Sequence, residues 1–125
     1  MNRIGTDIVE IARIKKAVAS RGDCFLRRIY TEREIARYRE KPSSLAARFA
    51  AKEAVMKALG QGMFTIGWRD IEVLSEPDGK PVIRLSGRAE LRANQLGLKT
   101  MAPSLSHCRD YALAVVMIAT DESPG

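Results

Sequence analysis

The stretch "RFAAKEAVMKALG", residues 48–60, decides how this chain folds, because it is almost all alanine and aliphatic yet carries Glu53 and three cations. Small residues recur at helical spacing, which predicts a helix that another backbone approaches closely. Glu53 and Lys57 are four residues apart and lie on one side of that helix, as do Arg48 and Lys52. Spacing alone favours an ordinary surface ion pair over a functional site.

Upstream of this helix, the sequence predicts one strand and two further helices. The segment "CFLRRIY" is compatible with more than one structure. The predicted elements are a strand at residues 3–9 and a helix at residues 10–20 that Gly22 ends. A second helix begins with a capping box of Thr31 and Glu34 and closes at Pro42. The long helix is capped by Ser43 or Ser44, runs to Leu59 and is ended by Gly60 and Gly62.

Downstream, the character of the sequence becomes β-rich. "DIEVLSEPDGKPVIRLS" predicts a hairpin around Pro77, Asp78 and Gly79, and "GRAELRANQLG" predicts a short helix ended by Gly97. "TMAPSLSH" and "YALAVVMIAT" predict two more strands. The order is β-α(3)-β(2)-α-β(2), so we expect an α+β fold: one domain, residues 1–125, whose mostly antiparallel sheet packs on the long Ala-rich helix, with residues 120–125 frayed.

Composition excludes several classes of protein. No apolar run reaches the roughly 20 residues of a membrane helix, and "MNRIGTDIVEI" lacks a signal-peptide core, so we expect a cytoplasmic protein without membrane contact. Cys24 and Cys108 have no metal or disulfide spacing and are interpreted as free thiols. A single histidine excludes a multi-histidine metal site.

The net charge of +6, with its basic residues concentrated before residue 42, indicates an anionic partner. Nucleic acid, an acidic protein and a phosphorylated small molecule are all compatible with this charge, as is a solvated face balanced by nearby acids. Aromatic residues make up only 6% of the chain. Nucleic-acid modules rely on aromatic stacking or a recognition helix, so we expect no nucleic-acid partner.

Asp7 is the second carboxylate of interest. It precedes a predicted helix and could be its N-cap, with Glu10 in a variant capping box, or it could bind a metal at the end of a strand. Together with Glu53 it would make a minimal magnesium pair, completed by water and substrate phosphates. Lys52, Lys57 and Arg48 would supply positive charge to phosphate oxygens, and His107 a further donor.

Four motifs in order, "IGTDIVEIARI", "RFAAKEAVMKALG", "DIEV…DGKP" and "SLSHCRDYALAVV", resemble the holo-acyl-carrier-protein synthases, the small bacterial 4′-phosphopantetheinyl transferases. The resemblance runs from about residue 4 to residue 118. It implies an enzyme that moves phosphopantetheine from coenzyme A to a serine of apo acyl-carrier protein, for fatty acid biosynthesis. It also implies a homotrimer with active sites shared between subunits.

The resemblance assigns roles to individual residues. It implies that Asp7 and Glu53 bind Mg²⁺ and that Lys57 lies near the reacting phosphates. The general base stays open between a water at Glu53, which we favour, Asp7, and a water held by Glu34. The residues expected to bind coenzyme A are Arg48, Lys52, Lys57, Gly79, Lys80, Pro81 and His107, and those expected to dock the acidic carrier protein are Arg13, Lys16, Arg21, Phe25 and Arg28, with Arg27 in support.

Two other functions remain compatible with the residues. A nucleic-acid module would bind oligonucleotides in place of coenzyme A. A non-catalytic assembly protein would use the Ala-rich helix for packing and its charges for solubility, and it would not modify a carrier protein.

Overall fold

The computed structural model describes residues 1–60 and 65–122. Its elements confirm the predicted α+β class. They follow the order β1 (Asn2–Glu10), α1 (Ile11–Arg21), α2 (Asp23–Ile29), α3 (Glu32–Tyr38), α4 (Pro42–Leu59), a 3-10 turn (Trp68–Asp70), β2 (Ile71–Ser75), β3 (Pro81–Leu85), α5 (Gly87–Leu96), β4 (Leu98–His107) and β5 (Tyr111–Thr120).

The order differs from the prediction in one element. The ambiguous segment "CFLRRIY" forms most of α2, so four described helices, rather than three, precede β2. Phe25, Leu26 and Ile29 are the buried residues of this short helix. A helix of 7 residues has little stability of its own, and burial of these side chains is what holds it.

The capping box of α3 is confirmed. The Thr31 hydroxyl accepts the backbone N–H of Glu34 at 3.2 Å, and the Glu34 carboxylate accepts the N–H of Thr31 at 2.8 Å. The two orphan N–H groups at this helix start are therefore satisfied locally.

The predicted start of α4 is wrong. Neither Ser43 nor Ser44 caps it: Pro42 is the first helical residue and Lys41 is the N-cap, without a side-chain cap bond. Proline suits this position because its missing N–H would have no helical partner there. At the other end Gly60, with φ of 62°, donates its N–H to the carbonyl of Met56 as predicted. Gly62, the second predicted terminator, lies outside the described residues.

Helix α4 lies across a three-stranded antiparallel sheet with strand order β1-β5-β4. Its alanines at positions 50, 51 and 54 are fully buried. The strand and helix approach so closely at Gly5 that a Cβ there would lie 1.8 Å from the carbonyl oxygen of Ala54. In register, Asp7 is opposite Ala114, and both Val9 and His107 are opposite Ala112. This packing places β1 against the side of α4 that carries Glu53 and Lys57.

The remaining elements flank this layer. Strands β2 and β3 form a separate antiparallel hairpin with Ser75 opposite Pro81. Residues 120–122, predicted to fray, are instead held: the N–H of Thr120 donates to the carbonyl of Met1, and Arg3 pairs with Glu122 at 2.8 Å. Residues 123–125 lie outside the described part. Within the described ranges, no helix is both long and apolar enough to span a membrane.

Candidate active site

Asp7 lies within β1, three residues before the strand ends, with its side chain 18% exposed. It shares the strand face of Gly5 and Val9, both of which are buried. The capping interpretation of Asp7 is wrong, because Glu10 is the N-cap of α1 and makes no side-chain cap bond. Asp7 is therefore free of a helix-capping role.

Lys57 and Glu53 meet Asp7 from the facing helix. The Lys57 ammonium donates to the carbonyl oxygen of Thr6 at 2.9 Å and to Asp7 Oδ1 at 3.3 Å. Burial, followed by the charge of Asp7, raises the pKa of Glu53, while Lys57 and Arg13 act in the opposite direction. Residues 50 positions apart in sequence are thus brought into one charged cluster.

The chemistry of this cluster fits a divalent cation. When two carboxylates are close enough to repel each other, the state in which both are ionised is unfavourable. A bound cation offsets this repulsion. Magnesium is commonly held by one or two carboxylates, with water and phosphates completing its octahedron. Across residues 1–60 and 65–122, no group of three or more His, Cys, Asp or Glu forms a metal cage. Asp7 and Glu53 therefore fit a metal whose other ligands come from substrate and water.

The structure corrects the prediction for Lys52, which is fully buried and pairs with Glu34 at 2.7 Å. Its ammonium also donates to the carbonyl oxygens of Ile29, Trp68 and Ile71 at 2.9, 3.1 and 2.7 Å. An ammonium has three N–H donors, so none remains for a coenzyme A phosphate. Burial is the main cause that lowers the pKa of Lys52, and Glu34 opposes it.

Arg48 is also turned inward, with 6% of its surface exposed. Its guanidinium lies 3.9 Å from the centroid of the Tyr38 ring. It donates to the hydroxyl of Tyr38 at 2.9 Å, to Ser75 Oγ at 2.6 Å and to the carbonyl of Val73 at 3.2 Å. In the isolated chain Arg48 therefore holds β2 against α4, and its role toward coenzyme A stays a prediction.

The other residues predicted to bind coenzyme A lie in different elements. Gly79 and Lys80 form the turn of the β2–β3 hairpin, and Pro81 begins β3. His107 ends β4, two strands from β1 and two register positions from Asp7. Strand spacing and rise put the Cα atoms of His107 and Asp7 about 12 Å apart. This separation lets His107 and Asp7 contact different parts of one extended ligand.

The predicted docking residues lie around α1 and α2. Arg13, Lys16, Arg21 and Phe25 line a cavity of about 290 Å³ together with Phe49. Phe25 is only 8% exposed, so it serves as a wall of the cavity rather than as a projecting anchor. The exposed residues Arg27 and Arg28 lie on α2, outside this lining.

The cavity adjoins the charged cluster. Arg13 belongs to both, since it lines the cavity and acts on the pKa of Glu53. Phe49, which the sequence analysis did not assign to a site, also lines the cavity. Its position four residues before Glu53, hence on the same helical face, is the signal that could have found it.

One candidate for the general base is excluded by burial. Glu34 is 0% exposed and accepts hydrogen bonds from Lys52, from the N–H of Thr31 and from the N–H of Val73. It has no solvent access through which it could hold a reactive water. Glu53 and Asp7 remain as candidates.

Residues 3–116 match the 4′-phosphopantetheinyl transferase superfamily. The chain belongs to this family. A holo-[acyl-carrier-protein] synthase of Herpetosiphon aurantiacus is 49% identical to this transferase-family chain, in a match that covers 90% of the chain and 94% of the relative. The match confirms the resemblance found in the motifs.

Solved structures of the family agree. The Helicobacter pylori holo-[acyl-carrier-protein] synthase in complex with coenzyme A superposes with a TM-score of 0.81 at 35% identity, covering 93% of this chain and 99% of that one. A Bacillus anthracis holo-(acyl-carrier-protein) synthase in complex with CoA (3′,5′-ADP) gives a TM-score of 0.75 at 31% identity, with 95% and 96% coverage.

Proposed function

We propose that this protein transfers the 4′-phosphopantetheine group of coenzyme A to a serine hydroxyl of apo acyl-carrier protein, releasing adenosine 3′,5′-bisphosphate, with Mg²⁺ as cofactor and in the service of fatty acid biosynthesis. The observation that carries the proposal is the convergence of Asp7, Glu53 and Lys57 from β1 and α4. The relatives named above, and the coenzyme A bound in two of their structures, support the choice of substrates.

The residues proposed to bind magnesium are Asp7 and Glu53. When bound, the ion supplies charge neutralisation for phosphate oxygens and fixes their geometry. Lys57 is proposed to contact the same phosphates, because its side chain is 55% exposed and already lies beside Asp7. The Lys57 ammonium is held by Thr6 and Asp7 on one side and is open to solvent on the other, so it can contact an anionic substrate that binds together with Mg²⁺.

The reaction needs a proton acceptor and no protein nucleophile. The serine oxygen forms a bond to the β-phosphorus, the bond from that phosphorus to the bridging oxygen breaks, and the bisphosphate leaves. The serine proton passes to a base. We propose a water next to Glu53 for this role, because the carboxylate of Asp7 already accepts the Lys57 ammonium.

The nucleotide of coenzyme A is proposed to bind residues that, within one chain, lie away from Asp7 and Glu53. Gly79, Lys80, Pro81 and His107 are all exposed or half-exposed, and they lie in elements other than those of the metal pair. A site completed by a neighbouring subunit would bring these residues and Arg48 to the nucleotide end. This geometry is the reason to propose a homotrimer with active sites at its interfaces.

An exposed apolar sheet face supports assembly. Strand residues that point away from α4 include Ile4 and Ile8, 62% and 61% exposed, and Tyr111, Leu113 and Met117, between 42% and 47% exposed. A contiguous apolar patch of this kind is unusual on a soluble monomer and marks an interaction surface. A second and third copy of the chain are the proposed occupants.

The carrier protein is proposed to dock on the basic cavity at α1. Acyl-carrier proteins are small and acidic, and Arg13, Lys16 and Arg21 surround the opening. Arg13 lies between this cavity and Glu53, so a serine held there would be directed toward the metal pair. Such charges raise association rates more than intrinsic affinity and weaken with salt. Phe25 and Arg28 are proposed as its wall and its outer rim.

A reducing compartment suits the chain, since Cys24 and Cys108 are both exposed free thiols. We therefore propose a cytoplasmic location, with neither membrane nor nucleic acid as a partner.

The deciding experiment is incubation with apo acyl-carrier protein, coenzyme A and Mg²⁺, followed by intact-mass analysis. We expect the carrier to gain the mass of one phosphopantetheine group, and to gain nothing when the metal is chelated. A chain that binds oligonucleotides but not coenzyme A would be a nucleic-acid module. A trimer that leaves the carrier unmodified would be a non-catalytic assembly protein.

A further inference from the structure

The face of α4 away from the metal pair carries a fully buried ion pair. Lys52 and Glu34 are both 0% exposed and meet at 2.7 Å. Three carbonyl oxygens share the Lys52 ammonium, and they belong to the end of α2, the 3-10 turn and the start of β2. One side chain of α4 thus fastens three other segments of the chain.

Glu34 extends the network. Its Oε1 accepts Lys52 and the N–H of Thr31, and its Oε2 accepts the N–H of Val73 at 2.8 Å. The start of α3 and the middle of β2 are therefore tied to the same point. Every buried side-chain nitrogen and oxygen in the described residues has a partner, so this network has no unsatisfied member.

Stability is a weak reason for such a pair. Two apolar side chains of similar volume often stabilise a core as well as a buried ion pair does, and the better-attested use of buried charge is to specify one arrangement. Lys52 precedes Glu53 directly, and successive residues are about 100° apart around a helix. Contacts that fix the position of the Lys52 side chain therefore also fix the direction in which the Glu53 side chain projects from α4.

The proposed metal pair requires accurate placement of the Glu53 carboxylate. A carboxylate about 6 Å from the helix axis moves by roughly 2 Å when the helix turns by about 20°. Misplacement of reacting groups by about 1 Å can cost on the order of 100-fold in rate. On the β1 side of α4, directional hydrogen bonds run from Lys57 to the carbonyl oxygen of Thr6 and from Arg3 to the carbonyl oxygen of Ala58, and the side chains that make them are partly exposed. The ion pair adds a fully buried directional restraint on another side of the helix.

We propose that Lys52 and Glu34 are positioning residues that hold α4 in the rotation at which Glu53 meets Asp7. This inference rests on the proposed function, since it assigns the metal pair its task. Neither residue touches substrate, and neither is a catalytic residue.

The test compares wild type with two variants of the pair, Lys52→Met/Glu34→Leu and Glu34→Gln. The matched control is Tyr30→Phe, which removes a buried hydrogen bond at 2.7 Å from Tyr30 to the carbonyl of Leu45 and leaves the ion pair intact. Mn²⁺ affinity, measured by electron paramagnetic resonance in the presence of coenzyme A, is the main readout. Melting temperature, kcat and KM for coenzyme A are measured alongside it.

We expect Mn²⁺ to bind at least ten-fold more weakly to the double variant, with kcat falling more than KM rises, and a smaller loss in Glu34→Gln, which keeps an acceptor for Lys52. Tyr30→Phe should melt lower yet bind Mn²⁺ like wild type. If the double variant does not fold, Glu34→Gln decides by the same readouts.

Wild-type Mn²⁺ affinity in a folded variant of the pair would overturn the positioning role, as would an equal loss in Tyr30→Phe. A wild-type protein that neither binds Mn²⁺ nor modifies a carrier would instead overturn the proposed function.

Discussion

Gly5→Ala should separate β1 from α4 and so part the two carboxylates of the site. The added Cβ would lie 1.8 Å from the carbonyl oxygen of Ala54 and 2.9 Å from the backbone nitrogen of Ala58. Carbon–oxygen contacts settle at about 3.3 Å, so the strand and helix must move apart by roughly 1.5 Å. Both clashing partners are backbone atoms, and no change of rotamer relieves them.

The magnitude follows from this geometry. Overpacking costs about 1–3 kcal/mol, and the rigid backbone contact places Gly5→Ala near 3 kcal/mol. For a chain of this length such a loss lowers Tm by roughly 10 °C. Because Asp7 is two residues along the same strand, the displacement reaches the metal pair, and we expect a fall in transfer rate of about 100-fold.

The assay combines thermal melting by circular dichroism with the rate of mass gain on apo carrier protein. Thr6→Ala, an exposed change on the same strand, is the control and should leave both readouts near wild type. Ala54→Gly in the Gly5→Ala background should not rescue either one, since the clash is with the carbonyl oxygen. A Gly5→Ala protein with wild-type Tm and rate would refute the close approach as the determinant of this site.

Four further predictions address the proposed metal pair, the pH dependence of Glu53, the proposed docking cavity and assembly. Glu53→Gln and Asp7→Asn should fold and lose activity, and a fully active variant would remove that residue from the mechanism. Burial and the charge of Asp7 raise the pKa of Glu53 above 4.5. The contribution of Glu53 to the free energy of unfolding is therefore present at low pH and is lost as the pH rises through the pKa that Glu53 has in the folded protein. Without metal, the Glu53→Gln variant should therefore have a higher Tm than wild type at pH 7, and the difference in Tm should shrink toward pH 4.5. Equal Tm values for the two proteins at both pH values would contradict this. Arg13→Glu should raise KM for the carrier protein and spare coenzyme A binding, whereas an unchanged KM would place docking elsewhere. Leu113→Asp should convert a trimer into monomers in sedimentation, and an unchanged mass would refute the apolar face as the interface.

Features that depend on neighbouring residues were predictable. The Thr31 and Glu34 capping box and the hairpin around Gly79 both formed as their local sequence indicated, because each requires only bonds within a few residues. Helix α2 was not predictable, since its buried hydrophobic residues hold it through packing against other elements, namely α1, α3 and the 3-10 turn. The start of α4 was misassigned because two serines and a proline compete for adjacent positions.

The cations of α4 show where sequence reasoning ends. Lys52 and Lys57 lie on one helix in one motif, and spacing gave no reason to treat them differently. In the fold, Lys52 is 0% exposed and satisfied by backbone carbonyls, whereas Lys57 is 55% exposed beside Asp7. Which of them can reach a phosphate depends on whether β2 or β1 covers that side of the helix, and this is a property of long-range packing.

The sequence by itself determined all the elements except α2, the family and the chemical types at the site, because propensity, capping and motif spacing act over a few residues. Only the tertiary structure decided that Asp7 lies near Glu53, that Lys52 is buried against Glu34, and that Arg13 lines the α1 cavity and also acts on Glu53. Burial and electrostatic partners are set by residues far apart in the chain, and no local pattern specifies which of them will meet.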